Sequence, residues 1–137
     1  MASKGLMIAG LASGSGKTMI TLGLLRALAR RGKAPAAGKT GPDYIDSGFL
    51  SAAAGRKAVN LDQIAMSKPL LVRLAADQAG DTLIIEGVMG LFDGASGNAG
   101  SSAALAEALD IPVILVMDIR HTAQTAAMIA AGIASLL

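Results

Sequence analysis

The chain has 137 residues, enough for one domain with a sizeable core. Apolar residues make up 53% but aromatic ones only 2%, so that core must be built from Ala, Leu, Ile, Val and Met. A net charge of +2 with dispersed basic residues argues against a nucleic-acid binder, and the lack of cysteine excludes disulfides, thiolate metal sites and a cysteine nucleophile within the chain.

Gly5 to Gly10 is a short apolar run ending in glycine, which predicts a buried strand. Lys17 to Arg31 reads as a helix with Ile20, Leu24 and Leu28 on one face, Leu25 beside them and Gly32 as the stop. Ala34 to Lys39 is a weaker strand pattern, and Gly41-Pro42-Asp43 must be loop because Pro42 biases Gly41 away from helix. Pro69 to Ala79 reads as a helix stopped by Gly80. Asp81 to Glu86 is a buried strand, followed by a long glycine-rich loop from Gly87 to Gly100. Ser101 or Ser102 caps a helix ending near Leu109. Pro112 to Met117 has the strongest strand pattern, and His121 to Leu137 is an alanine-rich helix. No signal peptide opens the chain, and Asp118, Arg120 and His121 interrupt the one extended apolar stretch, which excludes a membrane span there and makes the cytoplasm the default location.

Strand–helix alternation predicts an α/β, P-loop NTPase-like fold, a mostly parallel sheet with helices on both faces. Ligands of such sheets bind at the carboxyl ends of the strands. The loop Gly10-Leu11-Ala12-Ser13-Gly14-Ser15-Gly16-Lys17-Thr18 lies at such an end and opens a helix. Its glycines let backbone N–H groups turn toward phosphate oxygens, Lys17 adds a mobile charge, and the Thr18 hydroxyl suits Mg²⁺. Gly10, Ser13, Gly14, Ser15, Gly16, Lys17 and Thr18 are therefore the nucleotide-binding candidates. The first glycine stands one residue earlier than in the usual G-x-x-x-x-G-K-[ST] spacing, which would place it at Leu11.

Acidic residues are few, and four of them fall at or after the ends of the second and third predicted strands. Asp43 and Asp46 follow the second strand, Glu86 ends the third, and Asp93 lies in the loop after it. Mg²⁺ keeps several waters and needs only one or two carboxylates beside Thr18 and phosphate. Asp118 ends the last strand and is a candidate nucleotide contact. His121 reads as an exposed residue near a helix start, Arg26, Arg30 and Arg31 as a solvated helix face, and the methionines as core filler.

Lys39-Thr40-Gly41-Pro42-Asp43-Tyr44-Ile45-Asp46, together with Ile85-Glu86-Gly87-Val88-Met89-Gly90-Leu91-Phe92-Asp93-Gly94, resembles the cobyrinic (or hydrogenobyrinic) acid a,c-diamide synthases. The early Gly10 fits, because the related dethiobiotin synthetases share it. Ser47 stands where the family usually has proline, and Leu50 where it often has histidine. Ala12 replaces the extra lysine of the partition and division-site ATPases, which sets that branch apart.

The resemblance implies ATP- and Mg²⁺-dependent activation of two carboxylates on a corrin-ring precursor in cobalamin biosynthesis, as acyl phosphates attacked by ammonia. In the family the ammonia comes from glutamine in a separate C-terminal glutaminase domain. Carried over by position, Thr18, Asp43 and Glu86 serve the metal. Lys17 and Lys39 neutralise charge, and Asp46 and Asp93 serve substrate or the phosphorylated intermediate. The resemblance makes residues 1–137 an N-terminal amidoligase domain, cut short, and allows a homodimer. A cobyric acid synthase, a dethiobiotin synthetase-like enzyme and a P-loop switch ATPase are the alternatives.

Overall fold

Short apolar runs alternate with helices along the chain, and the computed structural model describes residues 5–78 and 80–136. The elements are β1 (Gly5–Gly10), α1 (Lys17–Arg30), β2 (Pro35–Thr40), α2 (Tyr44–Ala54), β3 (Val59–Leu61), α3 (Lys68–Ala76), β4 (Thr82–Gly90), α4 (Ser102–Leu109), β5 (Val113–Val116) and α5 (Thr125–Ala134). All strand pairings are parallel, in the order β3-β2-β4-β1-β5.

Because side chains alternate along a strand, β4 feeds both faces of the sheet. Ile84 packs with Ile8, Ala37, Leu25 and Leu50 under α1 and α2. Leu83 and Ile85 pack with Met7, Leu71 and Leu105 under α3 and α4. The expected α/β architecture, with helices on both faces, is thus what the chain adopts.

Several elements differ from the sequence expectation. Residues 44–54 form a helix, so Asp43 and Asp46 do not sit in an open loop. The Asp43 side chain caps α2 by accepting from the Asp46 N–H at 3.1 Å, and Asp46 lies in the first turn. The short edge strand β3 was not anticipated. The strand expected to end at Glu86 continues to Gly90, where the β1–β4 register shifts between Ile8 and Gly10. Met89 takes a positive φ of 49° in that irregular stretch. The glycines here reflect close approach rather than an open loop: a Cβ on Gly90 would lie 2.6 Å from the Leu11 carbonyl.

The buried face of α1 is rotated from the expected one. Lys17, Thr21 and Leu25, four residues apart, are its buried residues, while Ile20 is exposed. Pinning Lys17 at the end of the sheet sets this rotation. Ser101 is the α4 cap, accepting from the Ala104 N–H. The strand pattern at Pro112–Met117 yields only four strand residues, with Ile114 exposed. The last helix starts at Thr125 rather than His121, and the expected ends at Ala79 and Leu137 lie outside the described residues. Methionine is not uniformly core filler, since Met7 is buried but Met19 and Met128 are exposed.

The two-sided core makes a direct prediction. Ile84→Ala and Ile85→Ala should each lower unfolding stability by about 2–5 kcal/mol. Ile114→Ala should cost under about 1.5 kcal/mol, since Ile114 is only partly buried. Urea unfolding monitored by circular dichroism measures all three, and equal losses would refute this division.

Candidate active site

The loop between β1 and α1 is shaped for an anion. Gly16 stands at the α1 N-terminus in the left-handed region (φ 90°), and no side chain caps the helix there. The first-turn N–H groups are thereby left for a ligand. Gly10 is tightly enclosed, because a Cβ there would collide with Ser15 Oγ and lie 3.3 Å from the Ala12 carbonyl oxygen. Ser15 Oγ in turn donates to the Ala12 carbonyl at 2.9 Å, closing the loop on itself. This packing accounts for the early first glycine.

Next to the loop lies a cavity of about 240 Å³ lined by Ser13, Gly14, Lys17, Thr18, Lys39, Asp43, Asp46, Glu86, Val88 and Met89. Three strand ends and two helix N-termini meet there. β2 and β4 place Lys39 opposite Glu86 in register. Lys39 Nζ lies 3.2 Å from Glu86 Oε1, 3.2 Å from Asp46 Oδ2 and 3.8 Å from Asp43 Oδ2, and donates to the Gly87 carbonyl at 3.3 Å. Lys39 and Glu86 are both buried. Thr18 Oγ1 donates to the same Glu86 Oε1.

The other Glu86 oxygen, Oε2, is buried without a hydrogen-bond partner among the described residues. Leaving such an oxygen unpaired is costly, and a cation repays that cost. Beside the Thr18 hydroxyl and the Asp43 carboxylate, this donor set fits Mg²⁺, which takes hard oxygens and keeps waters. Among the described residues no group of three or more His, Cys, Asp or Glu side chains is placed to enclose a metal ion. An all-protein cage is not what Mg²⁺ needs when phosphate oxygens complete its shell.

The expected residues separate into two groups. Lys17, Thr18, Lys39, Asp43, Asp46 and Glu86 come together in the cavity. Asp93 lies outside its lining, and its Oδ2 accepts from the Gly90 N–H at 2.8 Å, closing a turn at the end of β4. Asp118 lies outside the cavity lining and forms an exposed pair with Arg120 at 2.6 Å. Hydrogen bonds from Arg120 hold its carboxyl down to about 2. His121, Arg26, Arg30 and Arg31 are exposed, as expected. Sequence reasoning missed the lining residues Val88 and Met89, since a glycine-rich stretch gave no sign that the strand continues. It also missed Asn60, whose role emerges only once β3 is seen beside β2.

Electrostatics follow from this packing. Partial burial raises the Asp43 carboxyl, but the Asp46 N–H and carboxyl and the Lys39 charge outweigh it, holding Asp43 below its ordinary 3.8. Burial, then the like charge of Lys39, lowers the Lys17 ammonium below 10.5, against the opposing pull of Glu86 and Asp46. In the window below 10.5 the unfolded chain therefore binds more protons at this position, so stability rises with pH. Lys17→Met should remove that rise. Its stability relative to the parent chain should be greatest near neutral pH and decline as pH approaches 10.5. Ligand-free urea unfolding across this range is the measurement, and a difference independent of pH would overturn the assignment.

Residues 6–136 match the CobQ/CobB/MinD/ParA nucleotide binding domain. The chain is 50% identical to a hydrogenobyrinate a,c-diamide synthase of Mesorhizobium japonicum, over 98% of this chain and 32% of that protein. It is 52% identical to proteins of the same name from Rhodobacter capsulatus and Rhizobium meliloti, over 96% and 95% of this chain and 31% of each relative. The chain thus spans about a third of the length of these curated relatives. With a P-loop, a parallel sheet and a match along almost its whole length, the chain belongs to the CobQ/CobB/MinD/ParA nucleotide-binding domain family.

Proposed function

We propose that this chain is the ATP- and Mg²⁺-dependent amidoligase part of an enzyme that converts the a and c side-chain carboxylates of hydrogenobyrinate to amides in cobalamin biosynthesis. The observation that carries the reading is the partly buried cluster beside the phosphate loop, in which Lys39 meets three carboxylates and Glu86 Oε2 lacks a hydrogen-bond partner among the described residues. A nucleotide switch has no need of a substrate-facing acid pair such as Asp43 and Asp46 in the turn after β2. The names of the relatives favour hydrogenobyrinate over cobyrinate as the ring substrate.

ATP supplies a phosphoryl group that turns a poor electrophile, a carboxylate, into an acyl phosphate from which ammonia displaces phosphate. The chain's residues bind and orient. The N–H groups of Ser13 to Lys17 and the α1 N-terminus hold phosphate oxygens, with Gly10 and Ser15 keeping the loop tight. Lys17 offsets charge on the transferring group. Thr18, Glu86 and Asp43 hold Mg²⁺. Lys39 sits between the metal-side acids and Asp46 and offsets charge where substrate carboxylate and phosphoryl group meet. Asp46 faces the substrate, and Asp93, exposed just past β4, serves the same side. Ammonia comes from glutamine hydrolysed by a glutaminase domain outside this chain, in the cytoplasm. A second copy is compatible with this scheme, which requires neither nucleic acid nor membrane.

An amidation assay on the full natural protein, with ATP, Mg²⁺ and hydrogenobyrinate, tests the reading. Lys17→Ala should reduce turnover by at least about 100-fold. Glu86→Gln should raise the Mg²⁺ requirement about 10- to 100-fold. Asp46→Asn and Asp93→Asn should lose amidation while keeping nucleotide affinity. Equal loss of nucleotide binding in Glu86→Gln, Asp46→Asn and Asp93→Asn would refute the division between metal and substrate sides.

A separate measurement addresses the ammonia source. Glutamine hydrolysis in this family uses a cysteine thiolate, and these 137 residues contain none. The isolated chain should therefore release no ammonia from glutamine. Glutamine-dependent ammonia release by the purified chain would overturn the two-domain scheme.

A further inference from the structure

The acid-bearing turn between β2 and α2 is held from two directions. One hold is ionic, from Lys39 to Asp43 and Asp46. The other is neutral and comes from Asn60 on β3, the register partner of Lys39. Asn60 Nδ2 donates to the Gly41 carbonyl at 3.1 Å and to the Asp43 carbonyl at 2.9 Å. Asn60 Oδ1 accepts from Ser47 Oγ at 2.6 Å. Two carbonyls facing one end of the amide and a hydroxyl facing the other leave a single amide orientation that satisfies every contact. The Ser47 hydroxyl also lies 2.7 Å from the Asp43 carbonyl, so its one proton is shared between two acceptors. Behind it, Ser51 Oγ donates to the Ser47 carbonyl and accepts from the Ala58 N–H, tying the start of α2 to the approach to β3.

The two holds respond differently to a metal. A cation recruits the carboxylates and competes with Lys39 for them. Asn60 contacts two main-chain carbonyls and the Ser47 hydroxyl, and no carboxylate, so its hold persists whichever partner the carboxylates take. Asn60 does not line the cavity. From this geometry, and resting on the nucleotide and metal reading above, we infer that Asn60, with Ser47, is a positioning residue that fixes the Asp43 carboxylate for Mg²⁺ through the backbone of residues 41–47.

The test uses the full natural protein and calorimetric titration of a non-hydrolysable ATP analogue at a series of Mg²⁺ concentrations, with thermal unfolding in parallel. Asn60→Ala should raise the Mg²⁺ concentration for half-maximal binding about 10- to 100-fold while leaving metal-free analogue affinity unchanged. Ser47→Ala should shift it in the same direction by less. The double variant should fall no further than Asn60→Ala alone, since both act through one network. A folded Asn60→Ala protein with the parent's Mg²⁺ requirement overturns the inference, even if its melting temperature falls. Should Asn60→Ala fail to fold, Ser47→Ala decides, and an unchanged Mg²⁺ requirement there overturns it. Failure of the parent protein to bind the analogue with Mg²⁺ would overturn the nucleotide reading as well, whereas normal parent binding with unmoved variants overturns the Asn60 assignment alone.

Discussion

The ion pair between Lys39 and Glu86 is the constraint around which the site is arranged. Both side chains are buried, on adjacent strands and in register, so neither can turn to water. Burying such a pair is expensive, and removing one partner strands the other charge, at a cost of about 3–5 kcal/mol. The chain therefore carries an arrangement that gains little in stability over an apolar pair of the same size. What it gains is geometry. Lys39 draws Asp43 and Asp46 from α2 and Glu86 from β4 to one point, and Thr18 from α1 completes the contact to Glu86. With Lys17 included, three carboxylates face two ammonium groups, an excess of one negative charge that suits a divalent cation.

Backbone proximity is the second determinant. Leu91 N–H donates to the Gly10 carbonyl at 2.8 Å, and Ser102 Oγ accepts from the Val88 N–H at 3.0 Å. A Cβ on Gly87 would meet that Ser102 hydroxyl at 2.6 Å. These contacts bring the end of β4 against the phosphate loop and place Val88 and Met89 on the cavity wall. The glycines between Gly87 and Gly94 permit main chain to pass close to main chain, which composition alone does not distinguish from a flexible loop.

Local signals explain what was legible in the sequence. The phosphate loop, β1 and α1 announce themselves because chemistry and secondary structure coincide within a few residues. Lys39, Asp43, Asp46 and Glu86 were visible as strand-end polar residues, and the parallel topology does bring them together. The α2 helix was hidden because Ser47 and Gly48 interrupt its pattern and its large side chains Tyr44, Ile45 and Phe49 are exposed. β3 has only three residues, too few for an alternation to register. The buried face of α1 was misread because its first contact is Lys17, a residue whose place is dictated by the site rather than by hydrophobicity. Asn60 was illegible for a different reason: an isolated amide carries no periodicity, and its value depends on the carbonyls that β2 brings to it.

The strand order also has a consequence for the growing polypeptide. β2 and β3 are neighbours in both sequence and sheet, so they can pair as soon as both are made. β1 is different: its hydrogen-bonded neighbours are β4, which begins about seventy residues later, and β5, which begins about a hundred residues later. On the ribosome the phosphate loop therefore emerges early on a strand without a sheet, and the contact of its Gly10 carbonyl with the Leu91 N–H waits until β4 has been made. Long-range parallel pairing of this kind is slow and leaves apolar strands transiently uncovered. Glu86 travels on that same late strand, so the insertion that joins β1 to β2 also delivers the last acidic group of the cavity lining.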